Sequence, residues 1–360
     1  MLTQEFFFEL SKTNVIVSFL LALILVFVKT PKIASLEGYK KTKPAIIVSF
    51  LLIGFVNSLE VADHHGILNR DFVILITLIV ASYQIFLFSS TIITMLDLNH
   101  ISKKRCMKEM IPTTLFSGIG IYFYHDAEIK TLHLFFIIFG AYFTTQIVRF
   151  TIQYLKTERT AIKKLDNFFS EETSRSVQWT RAAFIGMFFC SLFTLISFVH
   201  YLPLTMVFIV CYTSYYIYFT IHYLNYVNLF LDLIPALEQT TETTNNSKSG
   251  NKSFDQLEPA VTAWELTKRF SETGINIEQV AQELNTNRTY LSNYMNLYRN
   301  QTFKDWINHL RIEEAKQLMK EHPEIPVAQI GVQVGIPDKS NFGRQFTRIT
   351  GMSPNKWRKM

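Results

Sequence analysis

The sequence predicts an all-α protein made of an N-terminal bundle of seven transmembrane helices and a C-terminal domain with two helix-turn-helix units joined by a long helix. Three observations lead to this prediction. Hydrophobic residues make up 49% of the 360 residues, with 32 Phe, and long apolar stretches fill the first two thirds of the chain. Charged residues dominate from about Thr240 onward. In that last third, a pattern of apolar residues at helical spacing occurs twice.

Seven apolar runs predict the bundle, which we assign to residues 1–235. A membrane-spanning helix needs about 20 mostly apolar residues, within a range of about 17 to 25. The first, second and fourth runs are short by this rule, and flanking residues such as Phe6–Phe8 extend the first. Buried helices of a soluble protein do not explain seven such runs in succession. The runs are Val15–Val28, Ala45–Leu59, Phe72–Leu96, Met110–Tyr124, Leu132–Val148, Ala182–Val199 and Leu202–Leu224.

The loops between these runs differ sharply in positive charge. In chain order they carry five, one, four, one, seven and no Lys or Arg residues, and the alternation is unbroken. Because basic loops stay in the cytoplasm, we predict a multi-pass protein of the cytoplasmic membrane with its N-terminus outside and its C-terminus inside. The loops are residues 29–44, 60–71, 97–109, 125–131, 149–181 and 200–201.

The runs themselves contain no Asp, Glu, Lys or Arg. Ion-coupled transport usually needs such residues inside the membrane, so a transporter is disfavoured. The seventh run is rich in polar aromatic residues, which indicate either aromatic packing with an interface belt or a ligand pocket. These residues are Tyr212, Tyr215, Tyr216, Tyr218 and His222.

The predicted outer face collects five of the nine histidines, together with Asp63, Asp126 and Glu128. Imidazole and carboxylate groups bind zinc, and histidine also senses protons. The alternative is a set of ordinary solvated loop residues, and because ligand spacing across loops cannot be read from sequence, we predict no metal site. The outer-face candidates for a metal or proton input are His64, His65, His125 and His200.

Two segments that follow are polar or amphipathic. The inner loop 149–181 contains Ala161–Leu165 and Phe168–Phe169 at helical apolar spacing, which predicts a cytoplasmic helix lying on the membrane or on a partner.

Residues 236–256 include the Thr-, Asn- and Ser-rich stretch Gln239–Gln256, which cannot form a core and is predicted to be a flexible linker.

Residues 257–360 contain the repeated pattern. Each copy has apolar residues at helical spacing around a small residue, Ala281 or Gly331. Each copy ends at Asn285 or Gly335, which tolerates positive φ and suits a tight turn. Helix caps follow at Asn287 and Asp338, and then a second helix begins. Helix, turn and helix in two copies indicate a DNA-binding domain.

Further apolar spacing completes this domain. A long helix between the copies is predicted from seven apolar residues, and a short final helix is predicted to begin at Pro354 after Ser353. The residues of the long helix are Phe303, Trp306, Ile307, Leu310, Ala315, Leu318 and Met319.

About a quarter of the chain, from Ile275 to Lys359, resembles the AraC-type helix-turn-helix domain. Four stretches carry the resemblance: Asn287–Ser292, Leu310–Ala315, Gly335–Phe342 and Gly351–Arg358. The family usually has Phe at the position of Ile336 and Ala at the position of Gly331. These differences lead us to expect slightly weaker packing of the second unit.

The resemblance also implies which residues contact double-stranded DNA. Two recognition helices would enter successive major-groove segments on one face of the duplex. Base-reading positions carry over to Thr289, Asn293, Ser340 and Arg344, while Arg288 and Lys339 suit phosphates or flanking bases. Arg344 is the strongest candidate, because arginine to guanine is the commonest specific contact.

The chain lacks the β-rich sugar-binding region usual in soluble members and looks like the multi-span membrane variety of AraC-type regulator. We therefore expect a membrane-tethered transcription regulator whose bundle is a sensor or an anchor, with DNA, the lipid bilayer, a second copy and an unknown ligand or membrane protein as partners. The alternative is a multi-span transporter or receptor with a regulatory DNA-binding domain. No phosphate-binding Gly-rich loop or catalytic constellation occurs, so we expect no enzyme and no cofactor.

Overall fold

The computed structural model describes residues 2–30, 36–64, 67–126, 129–171, 177–196, 202–237, 254 and 256–359. In these ranges every element of more than one residue is a helix, which confirms the all-α prediction. The chain divides into two compact units. The first comprises Met1–Ala161 and Ser176–Glu238, and the second comprises Ile162–Arg175 and Gln239–Met360.

Seven helices form the first unit, as the sequence predicted. The fifth helix continues past the boundary at Ala161, so that its last residues, Ile162–Phe168, belong to the second unit. The helices are α1 (Leu2–Phe27), α2 (Glu37–His64), α3 (Arg70–Thr94), α4 (Lys103–Asp126), α5 (Ile129–Phe168), α6 (Gln178–Ile196) and α7 (Leu202–Leu237).

Five helical stretches within the described residues are long and apolar enough to cross a membrane. They lie in α1, α2, α3, α5 and α7. Helix α4 falls short because it begins with a cationic cluster from Lys103 to Lys108. Helix α6 begins with Gln178 and carries Arg181, and the apolar run predicted to end at Val199 leaves the described residues after Ile196. Seven helices are therefore confirmed, whereas seven membrane spans stay a prediction.

Helix α3 is the most enclosed of these stretches. Its most apolar window is 56% buried, compared with 28–39% for the other four. Polar groups also link distant helices, since the Tyr212 hydroxyl donates to Asn57 Oδ1 at 3.0 Å and the Thr213 hydroxyl donates to Asn14 Oδ1 at 2.9 Å. Such hydrogen bonds hold helices together where an apolar surrounding offers no hydrophobic drive for association.

The second unit contains both predicted helix-turn-helix units and the long helix between them. The final helix begins at Pro354, as predicted from the residue type that suits a first helical position. The elements are α8 (Glu258–Leu266), a 3₁₀ turn (Arg269–Ser271), α9 (Ile277–Glu283), α10 (Arg288–Asn293), a π-helical turn (Tyr294–Tyr298), α11 (Phe303–Glu321), α12 (Val327–Gln333), α13 (Lys339–Thr350) and α14 (Pro354–Arg358).

Helix α11 is the scaffold of the second unit. Thr302 caps its start by accepting from the Asp305 backbone N–H at 3.1 Å. Its N-terminal half buries Trp306, whose ring lies 5.1 Å from that of Trp264 in α8. Its C-terminal half buries Ala315 and contributes to a core shared with α12 and α13. The predicted inner face of this helix is thereby placed against α8 and the second helix-turn-helix unit.

Of the predicted linker, residues 236–256, Ala236 and Leu237 belong to α7, and of the rest only Phe254 and Gln256 lie within the described residues. Phe254 is buried, and its ring centroid lies 5.2 Å from that of Tyr290 and 6.0 Å from that of Tyr294. This side chain therefore packs on the first recognition helix and the π-helical turn that follows it.

Candidate DNA-binding surface

The first helix-turn-helix unit is formed by α9 and α10. Asn276 caps α9 through a capping box with Gln279, in which each side chain accepts from the other residue's backbone N–H. Asn285 then adopts φ 51° and closes the turn. Asn287 caps α10 by accepting from the Tyr290 backbone N–H at 2.8 Å. The sequence predicted both the turn residue and the second cap.

The second unit is formed by α12 and α13, with Gly335 at φ 84° in the turn. Asp338 caps α13, as predicted. A β-carbon on Gly331 would lie 3.1 Å from both the Phe342 ring and the Ile336 carbonyl oxygen. Ile336 itself is buried in the core between α11, α12 and α13. The expected loss of packing therefore has no visible basis, because glycine lets the two helices approach and isoleucine fills the core.

Arg311 on α11 fixes the backbone beside the second turn. Its guanidinium Nε donates to the Phe270 carbonyl at 2.7 Å, and its Nη2 donates to the Glu272 carbonyl at 2.7 Å. Burial lowers the pKa of Arg311 to about 10, so the group remains charged at neutral pH. The sequence marked Arg311 only as part of a family-like segment, because carbonyl acceptors 39 and 41 residues away leave no local pattern.

The predicted DNA contacts lie on the two recognition helices, α10 and α13. Thr289, Lys339, Ser340 and Arg344 are exposed, whereas Asn293 is half-buried. The Arg344 guanidinium donates to Asn341 Oδ1 at 3.2 Å, one turn earlier on the same helix. This contact orients a solvent-facing cation on α13, and the assignment of these residues to bases or phosphates stays a prediction.

Arg288, at the start of α10, is held differently from these residues. Its guanidinium donates to Glu278 Oε1 at 2.9 Å and lies 5.8 Å from the centre of the Phe168 ring. Glu278 belongs to α9, and Phe168 is the last residue of α5. Arg288 must therefore exchange these contacts before its guanidinium can turn fully toward a phosphate.

Sequence reasoning missed a charged network that supports the first recognition helix. Arg299 donates to Glu258 Oε1 at 2.6 Å and to the Tyr294 hydroxyl at 2.9 Å, and the Tyr294 hydroxyl contacts Glu258 as well. Burial raises the pKa of Tyr294. The network joins α8 to the π-helical turn, so Arg299 is committed to structure. Its partner Glu258 lies 41 residues away and gives no local signal.

The outer-face histidines are placed only in part. His65 and His200 lie outside the described residues, and His64 is the last residue of α2. His125 is exposed near the end of α4. In the part of the chain that the structure describes, no group of three or more His, Cys, Asp or Glu side chains is arranged to hold a metal ion. The metal or proton input at the outer face stays a prediction.

Two linked helix-turn-helix units with exposed polar residues on their second helices define a DNA-binding domain of the transcription-regulator class. A family model described as a helix-turn-helix domain matches residues 280–360. The C-terminal region is an AraC-type helix-turn-helix domain, which confirms the resemblance seen in the sequence.

Curated relatives match part of the chain. The Msm operon regulatory protein of Streptococcus mutans is 30% identical over 87 residues, covering 24% of this chain and 31% of that protein. The raffinose operon transcriptional regulatory protein RafR of Pediococcus pentosaceus is 32% identical over 108 residues, or 30% and 38% of the two chains. The transcriptional activator RhaR of an Enterobacter strain is 25% identical over 130 residues, or 36% and 44%.

The matched segments thus span less than half the length of these three relatives. The similarity to these three relatives covers between 24% and 36% of this chain. No solved structure matches the chain.

Proposed function

We propose that this protein is a membrane-tethered, sequence-specific transcription regulator whose bundle is a sensor or an anchor. One observation carries the proposal. The same chain holds an AraC-type helix-turn-helix domain at residues 280–360 and, before it, five helices long and apolar enough to cross a membrane. A soluble regulator has no use for such helices, since lipid-length apolar segments are costly to expose to water.

In this proposal the DNA-binding domain reads an operator with both recognition helices. Thr289 and Asn293 on α10 and Ser340 and Arg344 on α13 contact bases. Arg288 and Lys339, at the starts of the same helices, contact phosphates or flanking bases and set the register on the duplex. The exposure of Lys339, Ser340 and Arg344 supports a role in DNA contact, because their side chains are accessible on the surface of α13.

The domain must face the cytoplasm to meet DNA, which agrees with the topology predicted from the basic loops. The predicted linker of about 18 residues, if it is a flexible coil, has a root-mean-square span on the order of 20–25 Å. That span keeps the domain close to the bilayer. Two chains paired in the membrane would hold two domains at high effective concentration for adjacent half-sites.

Genome-wide DNA occupancy of the full-length protein, recovered from carbonate-washed membranes, tests the proposal. We expect discrete peaks that share a motif, and we expect Arg344→Ala to lose or redistribute them at equal protein abundance. Lys156→Ala, at an exposed position on α5, serves as a control and should leave the peaks in place. An absence of enriched sites would overturn the DNA-binding half, and recovery of the intact protein in the soluble fraction would overturn the membrane half.

A further inference from the structure

The helices of the first unit line a cavity of about 110 Å³. Side chains of α2, α3, α6 and α7 form most of its wall, with Phe143 from α5. A cavity that is mostly apolar and carries a few placed polar groups is the usual form of a small-molecule site. This cavity has that composition.

Two residues one turn apart on α2 supply its strongest polar groups. Asn57 is 7% exposed, and its Oδ1 accepts from the Tyr212 hydroxyl at 3.0 Å. Its amide Nδ2, which can only donate, has no hydrogen-bond partner among the described residues. Glu60 adds a carboxylate to the same wall. A buried donor without a partner is costly, so a ligand acceptor placed there would be favoured.

A second part of the cavity wall is aromatic. Phe88 on α3 stacks on Tyr216 of α7, with ring centroids 5.5 Å apart. Tyr212 lies against Phe208 at 4.9 Å and against Tyr216 at 5.6 Å. Aromatic faces attract cations as well as apolar groups. A ligand that fits both parts of the wall therefore carries a positive charge near Glu60.

Charge around this end of α2 points the same way. Four charged residues lie here: the acidic residues Glu60, Asp63 and Asp71, and the basic residue Arg70. Arg70 pairs with Asp63 at 3.0 Å, so the formal charge of the four residues together is negative. The local field thus favours a cation over an anion. On the predicted topology, Glu60 lies at the outer end of the second span.

We propose that this cavity binds a small primary amine that also carries a hydrogen-bond acceptor. The ammonium group lies between Glu60 and the aromatic part of the wall, and the ligand's acceptor accepts a hydrogen bond from Asn57 Nδ2. Binding does not depend on the DNA-binding function; only its effect on transcription rests on the proposed function.

The test uses the full-length protein in nanodiscs of phosphatidylglycerol, which supply no lipid amine, with ethanolamine as the probe and thermal unfolding and calorimetry as readouts. We expect ethanolamine to raise Tm, while ethylene glycol, which lacks the charge, and propylamine, which lacks the acceptor, do so less. Glu60→Gln should weaken ethanolamine binding by about tenfold or more, because it removes a charge-assisted hydrogen bond. Glu9→Gln, at an exposed carboxylate paired with Lys12, is the matched control.

Each result decides the proposal. Loss of the Tm shift in Glu60→Gln but not in Glu9→Gln supports it. A shift that appears in nanodiscs containing phosphatidylethanolamine without added amine, and that disappears in Glu60→Gln, supports it with the lipid headgroup as the source. No shift in either lipid, or an equal shift with ethylene glycol, overturns it. All of these outcomes are independent of DNA binding.

A second, independent observation concerns the end of α5 and the residues after it, Ile162–Glu171, called here the docked segment. The docked segment packs within the second unit on the first helix-turn-helix unit. Ser170 donates both its backbone N–H, at 3.3 Å, and its hydroxyl, at 2.7 Å, to the Ile275 carbonyl. Glu171 Oε1 accepts from the Gly274 backbone N–H at 2.6 Å. These contacts hold the loop that leads into α9.

The docked segment also engages cations of the DNA-binding domain. Asp166 pairs with Lys304 at 2.8 Å. The Phe168 ring faces Arg288, one of the predicted DNA contacts. The segment therefore brings two carboxylates, Asp166 and Glu171, and an aromatic ring to a surface that would otherwise attract phosphates. Within a Debye length of about 8 Å these carboxylates repel a DNA backbone.

We infer that the docked segment is an inhibitory clamp on the first helix-turn-helix unit, and this inference rests on the proposed function. Helix α5 runs without a break from Ile129 to Phe168, so a shift of its transmembrane part can withdraw Phe168 and Asp166 directly. Withdrawal removes the Phe168 ring from Arg288 and the Asp166 carboxylate from Lys304, and so raises the affinity for DNA. The signal then passes through one continuous helix.

The test measures DNA affinity of the full-length protein in nanodiscs for a duplex taken from an occupied genomic site. We expect Phe168→Ala and Asp166→Ala each to tighten binding by about threefold or more, and Lys156→Ala, at an exposed position of the same helix outside the docked segment, to leave it unchanged. Hydrogen exchange over residues 274–276 should accelerate in Glu171→Ala, since that change removes the acceptor of the Gly274 amide.

Two results would overturn the clamp. In one, the variants accelerate exchange at residues 274–276 but leave DNA affinity unchanged, so the segment docks without inhibiting. In the other, they weaken DNA binding, so the segment supports the binding conformation. A complete absence of DNA binding by every variant and by the parent protein would instead count against the proposed function, which keeps the two failures distinct.

Discussion

Gly335 lies so close to Ser271 that a β-carbon on Gly335 would be 2.5 Å from the Ser271 carbonyl oxygen and 3.1 Å from Arg311 Nε. Gly335 closes the turn of the second helix-turn-helix unit at φ 84°, and Ser271 ends the 3₁₀ turn that precedes the first unit. The packing of one unit against the approach to the other thus depends on the absence of a side chain at this position.

Gly335→Ala should destabilise the DNA-binding domain by more than about 2 kcal/mol, because left-handed strain of about 1–2 kcal/mol adds to a clash with backbone. Gly351 has φ 79° but open space around its β-carbon position, so Gly351→Ala should cost about 1 kcal/mol from strain alone. Gly343, helical and unobstructed, should tolerate Ala or gain up to about 1 kcal/mol. Urea unfolding of residues 254–360 gives all three values, and equal costs at Gly335 and Gly351 would contradict the steric argument.

Arg344→Ala should cost about 1–3 kcal/mol on the preferred operator and relax selection at one base position, if its guanidinium forms the bidentate contact proposed here. A binding-site selection experiment with residues 254–360 measures both effects. An equal loss of affinity for every sequence would show that Arg344 contacts only the backbone.

Lys339→Ala should behave differently, since a phosphate contact carries no sequence information. We expect affinity to fall for all duplexes alike and the slope of log K against log salt to shrink by about one unit. Titrations at several salt concentrations measure this slope, with Arg344→Ala as the matched comparison. A change in base preference with an unaltered slope would reassign Lys339 to base reading.

Acid should destabilise the first unit through His100, which is buried between α3 and α4. Burial lowers its pKa from 6.5 to about 4, with the positive charge of Arg105 as the second cause. Arg105 Nη1 lies 2.7 Å from His100 Nδ1, an arrangement that suits a neutral ring accepting from the guanidinium.

The direction of the effect follows from these pKa values. The unfolded chain takes up a proton as the pH falls below 6.5, while the folded protein resists protonation down to about pH 4. The contribution of His100 to the free energy of unfolding is therefore fully present above pH 6.5. It is lost as the pH falls from 6.5 to about 4, by up to roughly 3 kcal/mol. His100→Asn, which keeps an acceptor but does not titrate, should flatten the Tm profile between pH 7 and 4.5. His322→Asn, at an exposed histidine, should not.

Local patterns predicted most of the DNA-binding domain. Asn285 and Gly335 were identifiable because a tight turn needs a residue that tolerates positive φ, and Asn287, Asp338 and Pro354 because helix starts have strong residue preferences. These are short-range effects of the chain on itself. The seven helices of the first unit could also be predicted from the sequence, since apolar runs of helical length repeat between charged loops.

Long-range contacts could not be predicted in the same way. The acceptors of Arg311, the network of Arg299, and the docking of Phe168 on Arg288 each join residues that no local spacing relates. The cavity beside Asn57 also depends on how four helices pack, although the polar aromatic residues of α7 had raised a ligand pocket as one alternative. A single sequence contains no register between helices, so these features required the structure.

The predicted topology can be tested by reporters fused to successive loops of the full chain. Basic loops stay inside because Lys and Arg are costly to move across the membrane, so an enzyme reporter active only outside should work after Asp63 and after Asp126 and fail after Lys104 and after Lys164. A reporter active only inside should give the opposite pattern at the same four positions, which controls for unstable fusions. The decisive position is Lys164, within the docked segment at the end of α5. Outside activity there would place the DNA-binding domain on the outer side of the membrane, where it cannot meet DNA. That result would contradict both the tethered regulator and the clamp proposed for Phe168 and Asp166.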